Sequence, residues 1–172
     1  LLLFALKSTA QEPVKLQDDV DQHIFIFNQI EVLQDLKGEY SFGDVSSKAF
    51  NQKFRASDKS TPQTQLLNAT YWFKIKIKHS SNAKKQFLLE FFDQTIDEVT
   101  AYIPQENGDY KIEEFGDRYP FKQRKLHHKN FELSVKNRND LVQTYYFKIK
   151  SSQIADVIIV LRSMDRFISY AL

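Results

Sequence analysis

Alternation of apolar and polar residues over residues 71–78 constrains the fold of this chain more than any other feature. Successive side chains of a β-strand point to opposite faces, so a strand here has one apolar and one polar face. The apolar face consists of Tyr71, Phe73, Ile75 and Ile77. Trp72 lies on the other face among three lysines, and residues 145–150 repeat the pattern. Two such strands predict packed sheets whose outer face is able to bind a ligand.

Segments of strand character recur through the rest of the chain, with turn signals between them. The predicted strands cover residues 66–78, 86–92, 97–103, 110–115, 130–135, 142–150 and 155–162. Asn107 and Gly108 predict a hairpin turn, because both residues tolerate positive φ angles. Fifteen Phe and eight Tyr against four Gly are typical of β-rich proteins. We therefore predict an all-β fold, an antiparallel jelly-roll β-sandwich.

The part of the chain before residue 66 predicts a lead-in to this sandwich. Two short apolar runs, residues 23–27 and 30–33, are typical of leading strands. Helical spacing predicts a short helix near residues 44–54, on the basis of Val45, Ala49, Phe50 and Phe54. The polar residues 55–65, which include Pro62, predict a loop.

The N-terminus resembles the end of a signal peptide. Residues 1–6 are apolar and are followed by the small residues Ser8, Thr9 and Ala10, so cleavage after Ala10 is expected. The alternative is an apolar N-terminal strand or short helix. No other apolar run approaches the roughly 20 residues that a membrane-spanning helix needs.

Charge and cysteine content exclude several classes of protein. The net charge of +2 arises from 24 basic and 22 acidic residues that are interspersed, so we predict no nucleic-acid partner. The chain has no Cys, which excludes disulfides, thiolate catalysis and cysteine metal sites. We predict no cofactor.

Several short motifs occur in a fixed order along the chain. They are Tyr71-Trp72-Phe73-Lys74, Leu89-Glu90-Phe91, Ile96-Asp97-Glu98-Val99, Gly116-Asp117, Pro120-Phe121, Arg124, His128, Phe131, Tyr145-Tyr146-Phe147 and Ser151-Ser152. Over about residues 24–165 this order resembles the extracellular domain 2 of bacterial seven-transmembrane receptors with diverse intracellular signalling modules. The resemblance implies a periplasmic or extracellular sensor domain whose jelly-roll sandwich is similar to carbohydrate-binding modules and galactose-binding domains.

The resemblance also sets the expected domain boundaries. Residues 1–10 are the remnant of the signal peptide, and residues 11–65 are lead-in strands, helix and loop of the same domain. Residues 66–165 are the jelly-roll sensor core, and residues 166–172 are a tail that leads towards membrane helices absent from this chain. In the family, an intracellular output module follows those helices.

Candidate ligand-binding residues fall in two groups. Trp72 and Tyr146 lie on the outer face by alternation, where an indole is a platform for a sugar ring. The alternative for Trp72 is packing beneath a loop or the N-terminal segment. Arg124 and His128 lie on a predicted connection between strands, the usual place for binding residues.

Carboxylates near Arg124 are the expected partners of its guanidinium, in a ligand or within the protein. The candidates from this chain are Asp97, Glu98 and Asp117. The alternative is an internal pair of Arg124 with a carboxylate, beside a His that hydrogen-bonds the backbone. His127 and His128 are adjacent on an extended segment and point to opposite faces, so no metal site is predicted.

Two further patterns have simpler explanations. A glycosidase needs two carboxylates on either side of the bond that it cleaves, and this chain offers Glu90, Asp93, Asp97 and Glu98. Their spacing does not show that any two face each other, and no catalytic motif is present. The lysine rows at 74–78 and 148–150 predict a solvated face that discourages edge pairing. The alternative is attraction to an acidic glycan or to the membrane surface.

These patterns predict a non-enzymatic, exported sensory input domain of a membrane-bound receptor that binds a carbohydrate or other small molecule. The alternative is a protein-interaction or dimerisation module with no small ligand, in which the aromatic face forms a homodimer or partner interface.

Overall fold

The fold is seen in a computed structural model that describes residues 11–171. The strands of this part of the chain are β1 (Val14–Leu16), β2 (Gln22–Ile24), β3 (Glu31–Asp35), β4 (Arg55–Ala56), β5 (Thr70–His79), β6 (Phe87–Phe91), β7 (Glu98–Pro104), β8 (Tyr110–Phe115), β9 (Phe131–Val135), β10 (Val142–Lys150) and β11 (Ile159–Ser163). Its α-helices are α1 (Phe42–Ser46), α2 (Lys48–Asn51) and α3 (Met164–Ala171), and 3-10 turns occur at Phe27–Gln29 and Phe121–Gln123.

The strands form two sheets. The first has the order β4-β3-β5-β10-β7-β8, and β1 pairs in parallel with the end of β5. The second has the order β2-β11-β6-β9 and is antiparallel throughout. The two alternating strands, β5 and β10, pair with each other at the centre of the first sheet. The prediction of an all-β sandwich and its seven core strands is confirmed.

The main core lies between the sheets, where the apolar faces of β5 and β10 meet the second sheet. Tyr71, Phe73, Ile75 and Ile77 are all buried there, as their alternation predicts. The ring of Phe91 on β6 meets Phe147 on β10 edge to face, with centroids 5.0 Å apart. Burial of each such side chain contributes about 1.5–3 kcal/mol to folding, so this layer supplies most of the stabilisation.

The outer face of the first sheet is covered by residues 40–54. Trp72 and Tyr146 pack there with Leu33, Val45 and Phe54, in what we call the aromatic cluster. The predicted helix occurs as α1 and α2, which meet at Ser47. A capping box starts α1, because the Ser41 hydroxyl accepts the N–H of Asp44 while the Asp44 carboxylate accepts the N–H of Ser41.

The turn that Asn107 and Gly108 predict is observed in the β7–β8 hairpin. Gly108 has a φ of +87°, and its N–H donates to the carbonyl of Gln105 at 3.1 Å. The predicted leading strands occur as β2 and β3, and the loop after β4 is irregular as expected. The expected signal-peptide remnant, residues 1–10, lies outside the described residues.

Candidate functional site

A groove lies at the edge of the first sheet, beside the short strand β4. Its volume is about 570 Å³, within the range of small-molecule sites. The side of the sheet and the loop that follows β4 form its walls. The lining residues are Val32, Leu33, Gln34, Lys53, Arg55, Ala56, Ser57, Asp58, Lys59, Pro62, Gln63, Gln65 and Tyr71.

Cations and amides dominate the polar lining of this groove. The charged residues of the lining are three cations, Lys53, Arg55 and Lys59, and one carboxylate, Asp58. Arg55 is held in place because its guanidinium donates to the carbonyls of Gln52 and Phe54. These groups suit a ligand that carries hydroxyls and a negative charge, since amides bind hydroxyls and guanidinium binds carboxylates.

The loop over the groove is tied down at Tyr71. The Tyr71 hydroxyl accepts the backbone N–H groups of Gln65 at 3.1 Å and Leu66 at 2.9 Å. Tyr71 itself is buried in the core, so the sandwich fixes this end of the loop. The preceding residues 57–61 have no regular structure, and the N–H of Ser57 donates to the carbonyl of Ile30 at 3.0 Å.

Three of the predicted site residues line a second, smaller pocket at the end of the first sheet. Asp97, Glu98 and Asp117 line about 340 Å³ together with Asn68, Arg118 and Lys150. Arg118 forms an ion pair with Glu98, and the Asp97 carboxylate accepts the N–H of Ser152 at 2.5 Å. The carboxylates that the sequence singled out are therefore brought together, and their cation is Arg118 instead of Arg124.

Gly116 allows this end pocket to form. Its φ is +139°, and a Cβ there would lie 2.2 Å from the carbonyl oxygen of Asp97. A side chain at this position would push the two backbones apart. The N–H of Asp117 donates to the carbonyl of Ile96 at 2.8 Å, which holds the carboxylate-bearing segments side by side.

Arg124 and His128 lie elsewhere, above the second sheet. The Arg124 guanidinium donates to the carbonyls of His128 and Lys129 and packs against the rings of Phe121 and Phe131. Arg124 thus pins the crossing before β9 through backbone carbonyls. The expected contact with Asp97, Glu98 or Asp117 does not occur among these interactions.

His128 contacts a buried charged cluster that sequence reasoning missed. At its centre is Glu90, which is 0% exposed on the outer face of the second sheet. Its carboxylate accepts from Arg162 Nε at 2.7 Å, from Asn130 Nδ2 at 2.6 Å, and from the Tyr170 hydroxyl of α3. One signal was available: Glu90 and Arg162 interrupt the otherwise apolar runs of β6 and β11, which pair as neighbours.

Protonation of the cluster follows from its burial. Burial raises the pKa of Glu132 to about 8, and the neighbouring Glu90 charge acts in the same direction. Burial lowers the pKa of His128, whose Nδ1 lies 3.0 Å from Glu132 Oε1. His128 Nδ1 also accepts the N–H of Asn130 at 3.3 Å, so the imidazole is neutral and its Nδ1 lone pair is shared between this N–H and the O–H of protonated Glu132.

The expected open aromatic platform is wrong in this structure. Trp72 is 0% exposed, stacks on Tyr102 with centroids 5.6 Å apart, and directs its Nε1 at Asp35 Oδ2 at 3.4 Å. Tyr146 is also buried, and burial raises its pKa to about 12. The alternative, that Trp72 packs beneath another segment of the chain, agrees with the structure, because α1 and α2 cover this face.

The predicted solvated lysine face also needs correction at one position. Lys74 is 1% exposed, pairs with Glu31, and donates to Asn51 Oδ1 at 2.6 Å. Burial lowers the pKa of Lys74, while the Glu31 carboxylate opposes that shift. Lys76 and Lys78 remain half-buried, so the row changes from covered to accessible along β5.

Among residues 11–171, no group of three or more His, Asp or Glu side chains is placed to hold a metal ion. None of the helices in this described region has the length and hydropathy for crossing a membrane.

Comparison with known families decides what kind of domain this is. The model of the family described as 7TMR-DISM extracellular 2 matches residues 28–163. The chain belongs to this family. It is thus an extracellular sensory domain of the seven-transmembrane receptor type, and the resemblance stated from its motifs is confirmed. The matched range of the 7TMR-DISM extracellular 2 family includes the groove, the end pocket and all of β11.

Other comparisons add little to the family assignment. No curated protein matches the chain. Among solved structures, the enzymatically active domain of tailspike protein 4 from bacteriophage CBA120 aligns at 11% identity with a TM-score of 0.29. The alignment covers 83% of this chain and 19% of that chain. A likeness at this TM-score carries no argument about the 7TMR-DISM extracellular 2 domain.

Proposed function

We propose that this domain is a non-enzymatic input module of a membrane-bound receptor, exported to the outer side of the membrane, that binds a carbohydrate or other small polar molecule in the groove beside β4. One observation carries the proposal: the groove has the volume of a small-molecule site and is lined by cations and amides. Its three cations against one carboxylate favour an acidic sugar over a neutral one.

A ligand signals only if it binds one conformation of the receptor more tightly than another. The groove meets this requirement because one wall is a regular sheet and the other is an irregular loop. A ligand that contacts both Gln34 on β3 and Lys59 on the loop would tie the loop to the sheet. In this proposal the sheet provides fixed contacts to the ligand, and the loop is the part whose conformation differs between the bound and free states.

The end pocket is the second location that we propose for a ligand, with Asp97, Glu98 and Asp117 as its binding residues. Its carboxylates are suited to hydroxyl groups and its Lys150 to an acidic group. Its smaller volume accommodates one monosaccharide ring. The groove remains the first choice because its volume is larger and its lining includes both a sheet and a loop.

A protein-interaction module is the alternative function, and the edge of the first sheet favours it. On the edge strand β8, Ile112 is 57% exposed beside unpaired backbone groups, which is a surface on which another strand is able to pair. Trp72 and Tyr146, the expected interface residues, are covered. Under this alternative, a homodimer forms through β8.

A thermal-shift screen tests these assignments. The folded domain is titrated with neutral monosaccharides, uronic acids and oligosaccharides of both types. A ligand at a hundred times its Kd adds about 2.7 kcal/mol to the unfolding free energy, which is a shift of several degrees. Gln34→Ala/Lys59→Ala alters the groove, Asp117→Asn alters the end pocket, and Lys122→Ala on an exposed turn is the matched control.

Each outcome selects one assignment. A saturable shift lost in Gln34→Ala/Lys59→Ala and kept in the other two variants supports the groove. Loss in Asp117→Asn alone moves the ligand to the end pocket. No shift with any sugar, together with dimerisation that Ile112→Lys abolishes, would overturn the ligand-sensing proposal in favour of the interaction module.

A further inference from the structure

The loop that forms one wall of the groove is bonded to a distant part of the chain. Residues 62–64 of the loop lie against residues 153–157, and we call this pair of segments the clamp. Its backbone bonds join Val157 N to Pro62 O at 2.8 Å and Thr64 N to Ala155 O at 3.0 Å. Its side-chain bonds join Gln63 Nε2 to Asp156 Oδ1 at 2.6 Å and Ala155 N to Thr64 Oγ1 at 2.9 Å.

The clamp continues directly into the last two elements of the chain. Only residue 158 separates Val157 from β11, and α3 begins immediately after β11 ends at Ser163. No flexible linker lies between the clamp and α3. The connection between the clamp and α3 is therefore an extended strand, β11, which is paired with β2 and β6.

The helix α3 is docked on the outer face of the second sheet by few contacts. Phe167 is buried, and its ring meets the His128 ring edge to face at 5.1 Å. The Tyr170 hydroxyl donates to the buried Glu90 carboxylate, and Arg162 lies over the Tyr170 ring at 4.5 Å. The other face of α3, which includes Asp165, Arg166, Ile168 and Ser169, is exposed.

Two opposing effects make this docking easy to bias. An eight-residue helix is not stable on its own, so α3 keeps its structure only while Phe167 and Tyr170 are packed. Against this, docking covers the charged groups Glu90 and Arg162, whose desolvation is costly. The free energies of the docked and released arrangements of α3 therefore differ by little, because the large favourable and unfavourable contributions nearly cancel.

We propose that α3 is the output element of the domain, whose docking on the second sheet is coupled to the groove through the clamp and β11. The coupling rests on the proposed ligand groove for its physiological input. Because coupling is reciprocal, whatever loosens the clamp loosens α3, and whatever loosens α3 loosens the groove loop. Both directions are measurable without a ligand.

Hydrogen–deuterium exchange of the full chain tests the forward direction. Gln63→Ala/Thr64→Val removes the side-chain bonds of the clamp, and Gln63→Ala alone is a milder version that keeps the buried Thr64. Asn107→Ala is the matched control, because it removes two side-chain hydrogen bonds from the distant β7–β8 hairpin. Exchange of the α3 peptide is compared with that of the β10 peptide, which reports global opening.

We expect the α3 peptide to exchange at least about threefold faster in both clamp variants than in Asn107→Ala, after scaling to β10. Tyr170→Phe tests the reverse direction and should accelerate exchange in both α3 and the loop at 57–65. Equal scaled exchange of α3 in clamp and control variants would overturn the proposal. So would a Tyr170→Phe variant that accelerates α3 alone. Failure of the sugar screen affects neither measurement, so the two proposals fail separately.

Discussion

His128 and Glu132 show how burial decides the charge of a residue pair on the second sheet. An ordinary Glu is ionised at neutral pH, and burial beside Glu90 raises the pKa of Glu132 to about 8. An ordinary His is half-protonated near pH 6.5, and burial lowers the pKa of His128. At a pH above the lowered pKa of His128 and below that of Glu132, the folded pair holds one proton, on Glu132. Below about pH 6.5 the unfolded chain also holds one proton, on His128.

The different location of the proton in the folded and unfolded states predicts how stability depends on pH. Between the lowered pKa of folded His128 and about pH 6.5, folded and unfolded states of the pair bind the same number of protons, so the pair contributes no slope there. Between about pH 6.5 and 8, only folded Glu132 keeps its proton. We expect the unfolding free energy to fall there by at most about 1 kcal/mol per pH unit, because unfolded His128 and folded Glu132 both titrate within this window. Urea denaturation across the pH range measures the fall.

The variant Glu132→Gln isolates this effect. The Gln amide still donates to His128 Nδ1 and has no proton to release, so the fall above pH 6.5 should disappear. Glu114→Gln, at an exposed carboxylate on β8, is the control and should retain the fall. An unchanged slope in Glu132→Gln would show that another group titrates.

Trp72 carries a second prediction at the residue scale. Trp72→Phe loses the indole contact with Tyr102 and the bond to Asp35, so we expect a loss of about 1–3 kcal/mol in unfolding free energy. The measurement is urea denaturation followed by circular dichroism. Leu141→Ala removes an exposed apolar side chain and should change stability by less than about 0.5 kcal/mol.

The same variant distinguishes a structural tryptophan from a binding one. Because α1 and α2 cover Trp72, Trp72→Phe should leave any sugar-induced thermal shift intact at temperatures where the domain is folded. Loss of that shift with little change in stability would restore the platform interpretation.

At the scale of elements, the strands were predictable because their signal is local. Alternation in β5 and β10 requires only neighbouring residues, and it placed Tyr71, Phe73 and their neighbours in the core correctly. The outer face was not predictable by the same means. Alternation shows that Trp72 and Lys74 point away from the core, whereas what lies over them depends on residues 40–54 folding back.

The binding sites show the same limit. Asp97 and Asp117 are separated by the whole β7–β8 hairpin, and the sequence singled out both without showing that Gly116 brings their segments together. The groove was partly anticipated, because the loop at 55–65 was recognised as polar and irregular. Gln34 was missed, because its role arises only when β3 pairs next to β5.

Lys74 yields a prediction about how the covering segment is attached. Lys74→Met leaves Glu31 without its cation while keeping the buried volume, so we expect a loss of about 1–3 kcal/mol by urea denaturation. Adding Glu31→Gln removes the unpaired charge and should recover most of this loss.

The control for Lys74 is an ion pair on the surface. Lys85 and Asp21 are 2.7 Å apart, with Asp21 largely exposed, so Lys85→Met should cost less than about 1 kcal/mol. A double variant at Lys74 and Glu31 that is no more stable than Lys74→Met alone would contradict the ion-pair explanation.

At the scale of the whole molecule, two apolar clusters share the same strands. The main core lies on one face of β5 and β10, and the aromatic cluster lies on the other. Because both clusters pack on the same two strands, disruption of one cluster disorders the strands on which the other cluster depends. The first sheet therefore joins the covering segment at 40–54 and the sandwich into one cooperative unit, whereas α3 shares only the outer face of the second sheet.

This division predicts the order of unfolding. Trp72 is the one Trp of the chain, so its fluorescence reports the aromatic cluster, while far-UV circular dichroism reports both sheets. The two urea transitions should coincide, as in a two-state domain. Release of α3 is followed with a dye.

The chain has no Cys, so Ser169→Cys accepts a single environment-sensitive dye on α3. We expect the transition reported by this dye to occur at lower urea than the main transition. A dye at Lys122→Cys, on the exposed turn before β9, is the control and should follow the main transition. A dye on α3 that also follows the main transition would mean that the helix is bound as firmly as the core, and release of α3 would then be unavailable as an output.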